Sequence, residues 1–403
     1  MEWFMLPARV AVLAVSGLSA LATGYLLSLL LAARLEARRS PDGDDQAKEP
    51  RFTVLIPAHD EAAGIGRTLA NLRQLDYPAD RYRVVVIADN CTDETAVIAE
   101  RSGVQVLVRH DPLRRGKGYA LAWALERLGA DEESSPDAFV FLDADCDASP
   151  NLLRAVARRM AAGFGALQTD NVVANPGDSW VAALRFAAFS LINTVQPLGK
   201  SRLGLSCGLK GTGMALSADL LRRYPWDSFR LAEDGEYHCR LLEAGERVGF
   251  VREAAVSSAM PVTLGQSRSQ QLRWEGGRWQ LIRTWTPRLL RQGLRRRDPG
   301  QIHGALEPLI PPQSLLLAAN VVAGVLALAL SSPAALALAL FNLLGQAIWV
   351  VGGMAICGAP RGVYRALAAA PLLMVWKLGL YGGVLTGRVP ANWTRTPRRI
   401  GDR

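Results

Sequence analysis

The sequence predicts an α/β protein, a mostly parallel sheet with helices on both faces, joined to transmembrane helices. Short apolar runs alternate with helical patterns between residues 51 and 162, and acidic residues cluster directly after those runs. Long apolar segments lie on both sides of the region they belong to. The runs Phe52–Pro57, Tyr82–Ala88, Val104–Val108 and Ala138–Leu142 are short, β-branched or aromatic, and bounded by turn residues, as strands are. Ala62–Leu75, Thr92–Arg101, Tyr119–Leu128 and Asn151–Ala162 have helical spacing. Strand and helix in alternation build a parallel sheet covered on both faces.

Half of the 403 residues are hydrophobic, and the mean hydropathy is positive, +0.11. Val10–Ala33 is uncharged and long enough for a hydrocarbon core of about 30 Å. Arg34, Arg38 and Arg39 follow it, and the stretch exceeds a signal-peptide core, so an uncleaved anchor is expected rather than a cleaved leader. Basic residues mark the cytoplasmic side, which puts the segment from Arg51 to about Ala305 there. The five cysteines form no CxxC pair and no metal spacing, as expected of buried, reduced thiols.

Ser314–Leu330 and Ala334–Ile356 read as a transmembrane hairpin turning at Ser331, Ser332 and Pro333. Ala366–Thr386 is apolar but contains Lys377 and has arginines on both sides, Arg361 and Arg365 before, Arg388, Arg395, Arg398 and Arg399 after. It is expected to be interfacial or re-entrant. The expected division is therefore an anchor at 1–39, a polar linker at 40–50, the main domain at 51–265, interfacial helices at 266–305, the hairpin at 306–358 and a basic tail segment at 359–403.

A net charge of +9 raises the question of nucleic acid. The arginines Arg283, Arg288, Arg291, Arg295, Arg296 and Arg297 instead crowd beside the second apolar region, where they suit anionic headgroups, and no nucleic-acid motif accompanies them.

Ligands of open α/β sheets bind where strands run into helices. His59, Asp60 and Glu61 follow the first strand, Asp89, Asn90 and Asp93 the second, and Asp143, Asp145 and Asp147 the fourth. No GxGxxG and no GxxxxGK[ST] loop is present to hold a pyrophosphate. Paired carboxylates with a divalent metal are the alternative, and Asp143 and Asp145 can direct two oxygens at one Mg2+ or Mn2+. Asp147 reads as a third ligand or as the cap of the next helix, and Asp93 as a helix cap. Asp89 can accept a hydrogen bond from a uracil ring NH. Glu61 suits a nucleotide contact or the positive end of a helix dipole.

Lys117, between Gly116 and Gly118 at a helix start, reads as a phosphate contact or as a solvated basic loop. Glu233 and Asp234 open a helical stretch that stops at Gly245; a carboxylate there can act as a base or simply favour the helix start. Arg273 can bind a diphosphate oxygen, and Trp274 can face a sugar or belong to an interfacial belt.

The order FTVLIPAHDEAAGI, ADNCTDET, RGKGYAL, FVFLDADCD, LAEDGEYH and QQLRW resembles the family 2 inverting glycosyltransferases. The likeness is to the membrane branch of cellulose, chitin and hyaluronan synthases and ceramide glucosyltransferase, over roughly Phe52 to Trp285. It implies the nucleotide-diphospho-sugar transferase fold and a UDP-sugar donor contacted by Pro57, His59, Glu61, Asp89, Lys117, Asp143, Gln270, Arg273 and Trp274. It further implies a metal at Asp143 and Asp145, Asp234 as catalytic base, and an acceptor side formed by Gly211, Thr212, Gly213 and Glu233. Asp60 stands where the family's first motif commonly has asparagine, and DNCTD replaces the more frequent DDGSTD.

The expected protein is a metal-dependent hexosyltransferase of a bacterial inner membrane, its catalytic domain cytoplasmic, acting on a lipid or lipid-linked acceptor. Processive polysaccharide synthesis is the alternative, but three spans are few for a polymer channel unless the chain forms an oligomer or has a partner subunit. A nucleotide-binding scaffold without activity is disfavoured by the intact DAD, ED and QxxRW set.

Overall fold

The computed structural model describes residues 2–37, 49–129 and 135–385. The greater part of the expected linker, Arg38, Arg39 and the basic tail from Thr386 onward lie outside the described residues. The strands are β1 (Phe52–Ala58), β2 (Tyr82–Asp89), β3 (Gln105–Arg109), β4 (Ala138–Phe141), β5 (Cys146–Ala148), β6 (Ala166–Val173), β7 (Met214–Ser217) and β8 (Val248–Ser258). They form one sheet in the order β3-β2-β1-β4-β7-β6-β8-β5.

β1 to β4 are the runs expected from the sequence and pair in parallel. Beyond β4 the sheet is mixed: β7 lies antiparallel to β4 and β6, β6 is parallel to β8, and β5 is antiparallel to β8. The parallel half is buried on both faces, which is why its strands read as continuous apolar runs. Val54, Ile56, Val86 and Val140 pack under the helices Ala62–Leu72 and Leu152–Ala161. Leu55, Val85, Ile87 and Phe141 face the opposite way, onto the helix Lys117–Gly129 and onto Tyr237 and Leu241.

Among the described residues four helices are long and apolar enough to cross a membrane: Met5–Ala37, Trp180–Arg202, Pro333–Ile356 and Arg361–Gly383. A fifth span is available if Pro299–Leu309 and Gln313–Ala329, bent by 66°, count as one. The first and third contain the segments expected from the sequence. Trp180–Arg202 was not expected, because Arg185 and Lys200 interrupt its hydropathy. Both side chains are buried inside the protein, and Lys200 is ion-paired to Glu307. Arg361–Gly383, read above as interfacial, also has the length and composition of a span, with a 3-10 turn at Leu367–Ala369.

Candidate active site

The loops after β1 and β2 interlock. Asp60 and Asn90 take left-handed backbone conformations, φ +55° and +52°, a region that asparagine and aspartate tolerate better than most side chains. Asp60 Oδ1 accepts a hydrogen bond from the Thr92 amide at 2.6 Å, so aspartate replaces the family's asparagine without loss of the turn. Asp93 accepts from the amides of Thr95 (2.9 Å) and Ala62 (3.0 Å) and so serves the starts of two helices. Ligand atoms of Asp60, Cys91 and Asp93 lie within 4.8 Å of one another, but backbone amides occupy these carboxylates and tie the loops together. Glu61 stands at the N-cap of Ala62–Leu72 without a side-chain cap bond.

Asp89 ends β2 directly opposite Arg109 at the end of β3. Their side chains form a buried ion pair at 2.6 Å, and Asn90 Nδ2 donates to the same Asp89 oxygen at 2.9 Å. His59 Nδ1 lies 2.7 Å from the Asp89 carbonyl; a carbonyl only accepts, so Nδ1 carries the proton. Pro57 pairs in register with Ile87 in the adjacent strand.

Lys117 joins two clusters that the sequence places far apart. Its ammonium contacts the Asp143 carboxylate and donates to the Gly211 carbonyl at 2.7 Å. This removes the solvated-loop alternative. The next residue, Gly118, packs against the Ser228 carbonyl oxygen, from which a Cβ would sit 2.1 Å. Burial alone lowers the Lys117 pKa, but Asp143, Glu233 and Asp234 outweigh it and leave it raised, so the ammonium stays charged.

The loop 211–213 is fixed from both sides. The Asp143 amide donates to Thr212 Oγ1 at 3.1 Å and the Gly213 amide to the Phe141 carbonyl at 2.8 Å. Gly213 has φ +70°, and a Cβ there would lie 2.1 Å from Thr169 Oγ1. Gln168 holds the loop through the Lys210 amide and the Thr212 carbonyl, each at 2.8 Å.

Ligand atoms of Asp143, Asp145 and Cys146 lie within 4.8 Å of one another. Burial pushes the Cys146 thiol up to about 12, so it stays protonated and is no ligand for a hard cation. Two carboxylates remain, an oxygen donor set that fits Mg2+ or Mn2+ and leaves positions for phosphate oxygens. Asp147 corrects an expectation. It lies in β5, 3.5 Å from Arg67 Nε, and the next helix is entered through Asn151, so Asp147 caps nothing.

Glu233 and Asp234 open the helix Glu233–Glu243. Burial and then the Asp234 charge push the Glu233 carboxyl up to about 7. Asp234 is also raised, chiefly by burial, against the Gly235 amide, Lys117 and Lys210. Asp234 Oδ2 lies 3.5 Å from the position of a Cβ on Gly211, so this carboxylate faces the 211–213 loop.

Gln270, Arg273 and Trp274 share the helix Leu264–Thr284, capped by Thr263. Close approach to the Glu233 helix is set by glycines: a Cβ on Gly277 would lie 2.7 Å from Ala232 Cβ, and one on Gly235 2.7 Å from Leu281 Cδ1. Arg273 is within electrostatic reach of Glu233 and Asp143. Gln270 is buried, and its Oε1 has no hydrogen-bond partner among the described residues. The Trp274 ring packs 5.7 Å from Phe189 and is 41% exposed.

Arg109, Gln168, Thr169 and Lys210 were missed in the sequence. Arg109 had a signal, since it ends a predicted strand beside one ending in Asp89. The other three had none: Gln168 and Thr169 lie in β6, whose apolar run they interrupt, and Lys210 lies in the loop before β7.

Such a sheet, with a carboxylate pair at a strand end and further acids brought to it from a distant helix, defines a nucleotide-sugar transferase. The chain belongs to glycosyltransferase family 2: residues 50–277 match the family described as "Glycosyltransferase like family 2". It is 26% identical over 287 residues to an N-acetylglucosaminyltransferase of Rhizobium leguminosarum bv. viciae, covering 65% of this chain and 65% of that protein. It is 28% identical over 265 residues to a beta-monoglucosyldiacylglycerol synthase of Synechocystis, covering 64% of this chain and 54% of that one. The alignments thus span less than two thirds of these relatives' own lengths. In structure it resembles a mannosyltransferase from Pyrobaculum calidifontis in complex with GDP-Man and Mn2+, with TM-score 0.57 at 21% identity, over 85% of this chain and 98% of that one. That likeness concerns the fold.

Proposed function

We propose that the protein transfers a sugar from a UDP-sugar to a lipid or lipid-linked acceptor at the cytoplasmic face of a membrane, inverting the anomeric centre. The observation that carries this reading is the Lys117 bridge, which joins the Asp143 side to the Gly211 side with Glu233 and Asp234 beside it. A donor diphosphate and an acceptor hydroxyl can therefore meet at one centre.

Asp89 Oδ1 is engaged by Arg109 and Asn90, which leaves the second oxygen for the uracil NH. Asp143 and Asp145 would hold Mg2+ or Mn2+; when bound, the cation supplies positive charge for the departing diphosphate. Lys117 and Arg273 add fixed charge on that side. Asp234 takes the proton as the acceptor oxygen bonds to the anomeric carbon; the carbon–phosphate-oxygen bond breaks and its electron pair leaves with UDP. Burial keeps Asp234 basic, and its charge in turn raises the carboxyl of Glu233 beside it. The apolar helices, and the arginine-rich helix Thr286–Arg296 beside them, support a site at headgroup level. The glycolipid synthase among the relatives supports a lipid acceptor.

The test is to incubate the purified chain in bilayers with a panel of radiolabelled UDP-sugars and to size the product. Solvent-extractable material bearing one sugar is expected. A long ladder that resists extraction would replace this reading with polysaccharide elongation.

A further inference from the structure

Arg185 lies in the helix Trp180–Phe189, flanked by the buried residues Leu184, Ala183 and Ala187. It is only 3% exposed, yet its Nε and Nη2 make no hydrogen bond with any described residue. A buried guanidinium left in this way is costly to the fold. Retention of such a group between apolar helices is the ordinary mark of a binding function.

Two further cations stand near it. Lys377, on the helix Ala370–Leu385, feels the charges of Arg185, Arg278 and Glu275. Arg278 is tied to the carbonyls of Pro308, at 2.8 Å from Nη2, and of Ile310. Glu275, the carboxylate that all three cations feel, accepts a hydrogen bond from the Tyr381 hydroxyl at 3.2 Å, and Arg278 also feels Glu307. Three cations thus face two acids, one of them reaching only Arg278. Beside Lys377 the same helix exposes Leu372, Val375 and Leu378, an apolar strip suited to acyl chains. Phe189, one turn beyond Arg185, packs on Trp274 of the active-site helix.

We propose that Arg185 and Lys377 bind the phosphate of an anionic membrane lipid where the helices Trp180–Phe189, Leu264–Thr284 and Ala370–Leu385 meet. The phosphate completes the two open donors of Arg185, Lys377 adds a second charge, and the acyl chains lie along Leu372, Val375 and Leu378. The site goes beyond the transfer reaction and holds whether or not the bound lipid is the acceptor. A free phosphate offers the same charge without the chains.

The full chain is purified from bilayers of phosphatidylcholine and phosphatidylglycerol, and retained lipid is counted by native mass spectrometry. The parent should keep phosphatidylglycerol in preference to phosphatidylcholine. Arg185→Gln and Lys377→Gln should each cut that retention by about tenfold, with Arg185→Lys intermediate. UDP affinity, measured in parallel, should stay at the parent value and reports that the sheet is folded. Equal retention of phosphatidylglycerol by the parent and the glutamine variants would overturn the proposal. Displacement of the lipid by equimolar inorganic phosphate would show that the chains contribute nothing and would overturn the lipid assignment. If Arg185→Gln loses UDP binding as well, Lys377→Gln decides alone, since that side chain is only partly buried.

Discussion

The loops after the parallel strands and the start of the helix Glu233–Glu243 differ in how they hold their charged residues. In the loops the carboxylates are tied down: Asp60 and Asp93 by amides, Asp89 through one oxygen by Arg109. At the helix start, Glu233 and Asp234 are half-buried, lie next to each other and are opposed only in part by Lys117 and Lys210. A carboxylate held by fixed donors is suited to position a ligand. The undersatisfied pair is suited to exchange a proton, because burial and the Asp234 charge push the Glu233 carboxyl up to about 7. On the proposed reading the loops bind and the helix start reacts, with Lys117 as the link.

The largest expected effect sharpens this contrast. Asp234→Asn should lower transfer by about a thousandfold or more while UDP affinity stays close to the parent value, measured by titration and by sugar release on the same preparations. Appreciable residual turnover would remove Asp234 from the role of base. The contrasting change is Arg109→Leu, which leaves Asp89 buried without its partner. It should cost about 3–5 kcal/mol of stability and weaken UDP binding, as read by denaturation with and without UDP. An effect on turnover alone, with UDP affinity intact, would break the comparison.

Metal dependence comes next. Asp145→Ala should weaken Mn2+-dependent UDP affinity by about tenfold or more, whereas Asp147→Ala removes only a partly exposed contact with Arg67, worth at most about 1 kcal/mol. Calorimetry with and without Mn2+ separates them, and equal losses would return Asp147 to the metal site.

The smallest and most diagnostic effect is in pH. The Glu233 carboxyl is raised to about 7, so its proton is lost late and the pair gains its second charge only there. Transfer should rise with pH through about 7, and Glu233→Gln should shift that limb downward. The linkage sign for stability is the reverse. A carboxyl whose folded pKa is raised favours the fold while protonated, so stability should fall as pH climbs from the usual carboxylate range through about 7. A pH profile of kcat/KM beside a denaturation series reads both, and a flat pair of profiles would refute the undersatisfied pair.

The sequence by itself determined the parallel half, the apolar helices at both ends of the chain and the order of the acidic motifs. Strands buried on both faces are written as unbroken apolar runs, and a ligand loop follows each directly. β6, β7 and β8 stayed hidden because polar residues such as Gln168, Thr169, Arg252 and Glu253 interrupt them. Their pairing depends on partners far away in the chain, as Cys146 with Ser258 shows. Only the tertiary structure decided that Lys117 meets both Asp143 and Gly211, that Asp147 is a strand residue, and that Arg185 is buried with two nitrogens lacking a hydrogen-bond partner among the described residues. Each of these joins residues far apart in the chain. Close packing at Gly118 against the Ser228 carbonyl and at Gly277 against Ala232 is of the same kind, and no local pattern records what such residues approach.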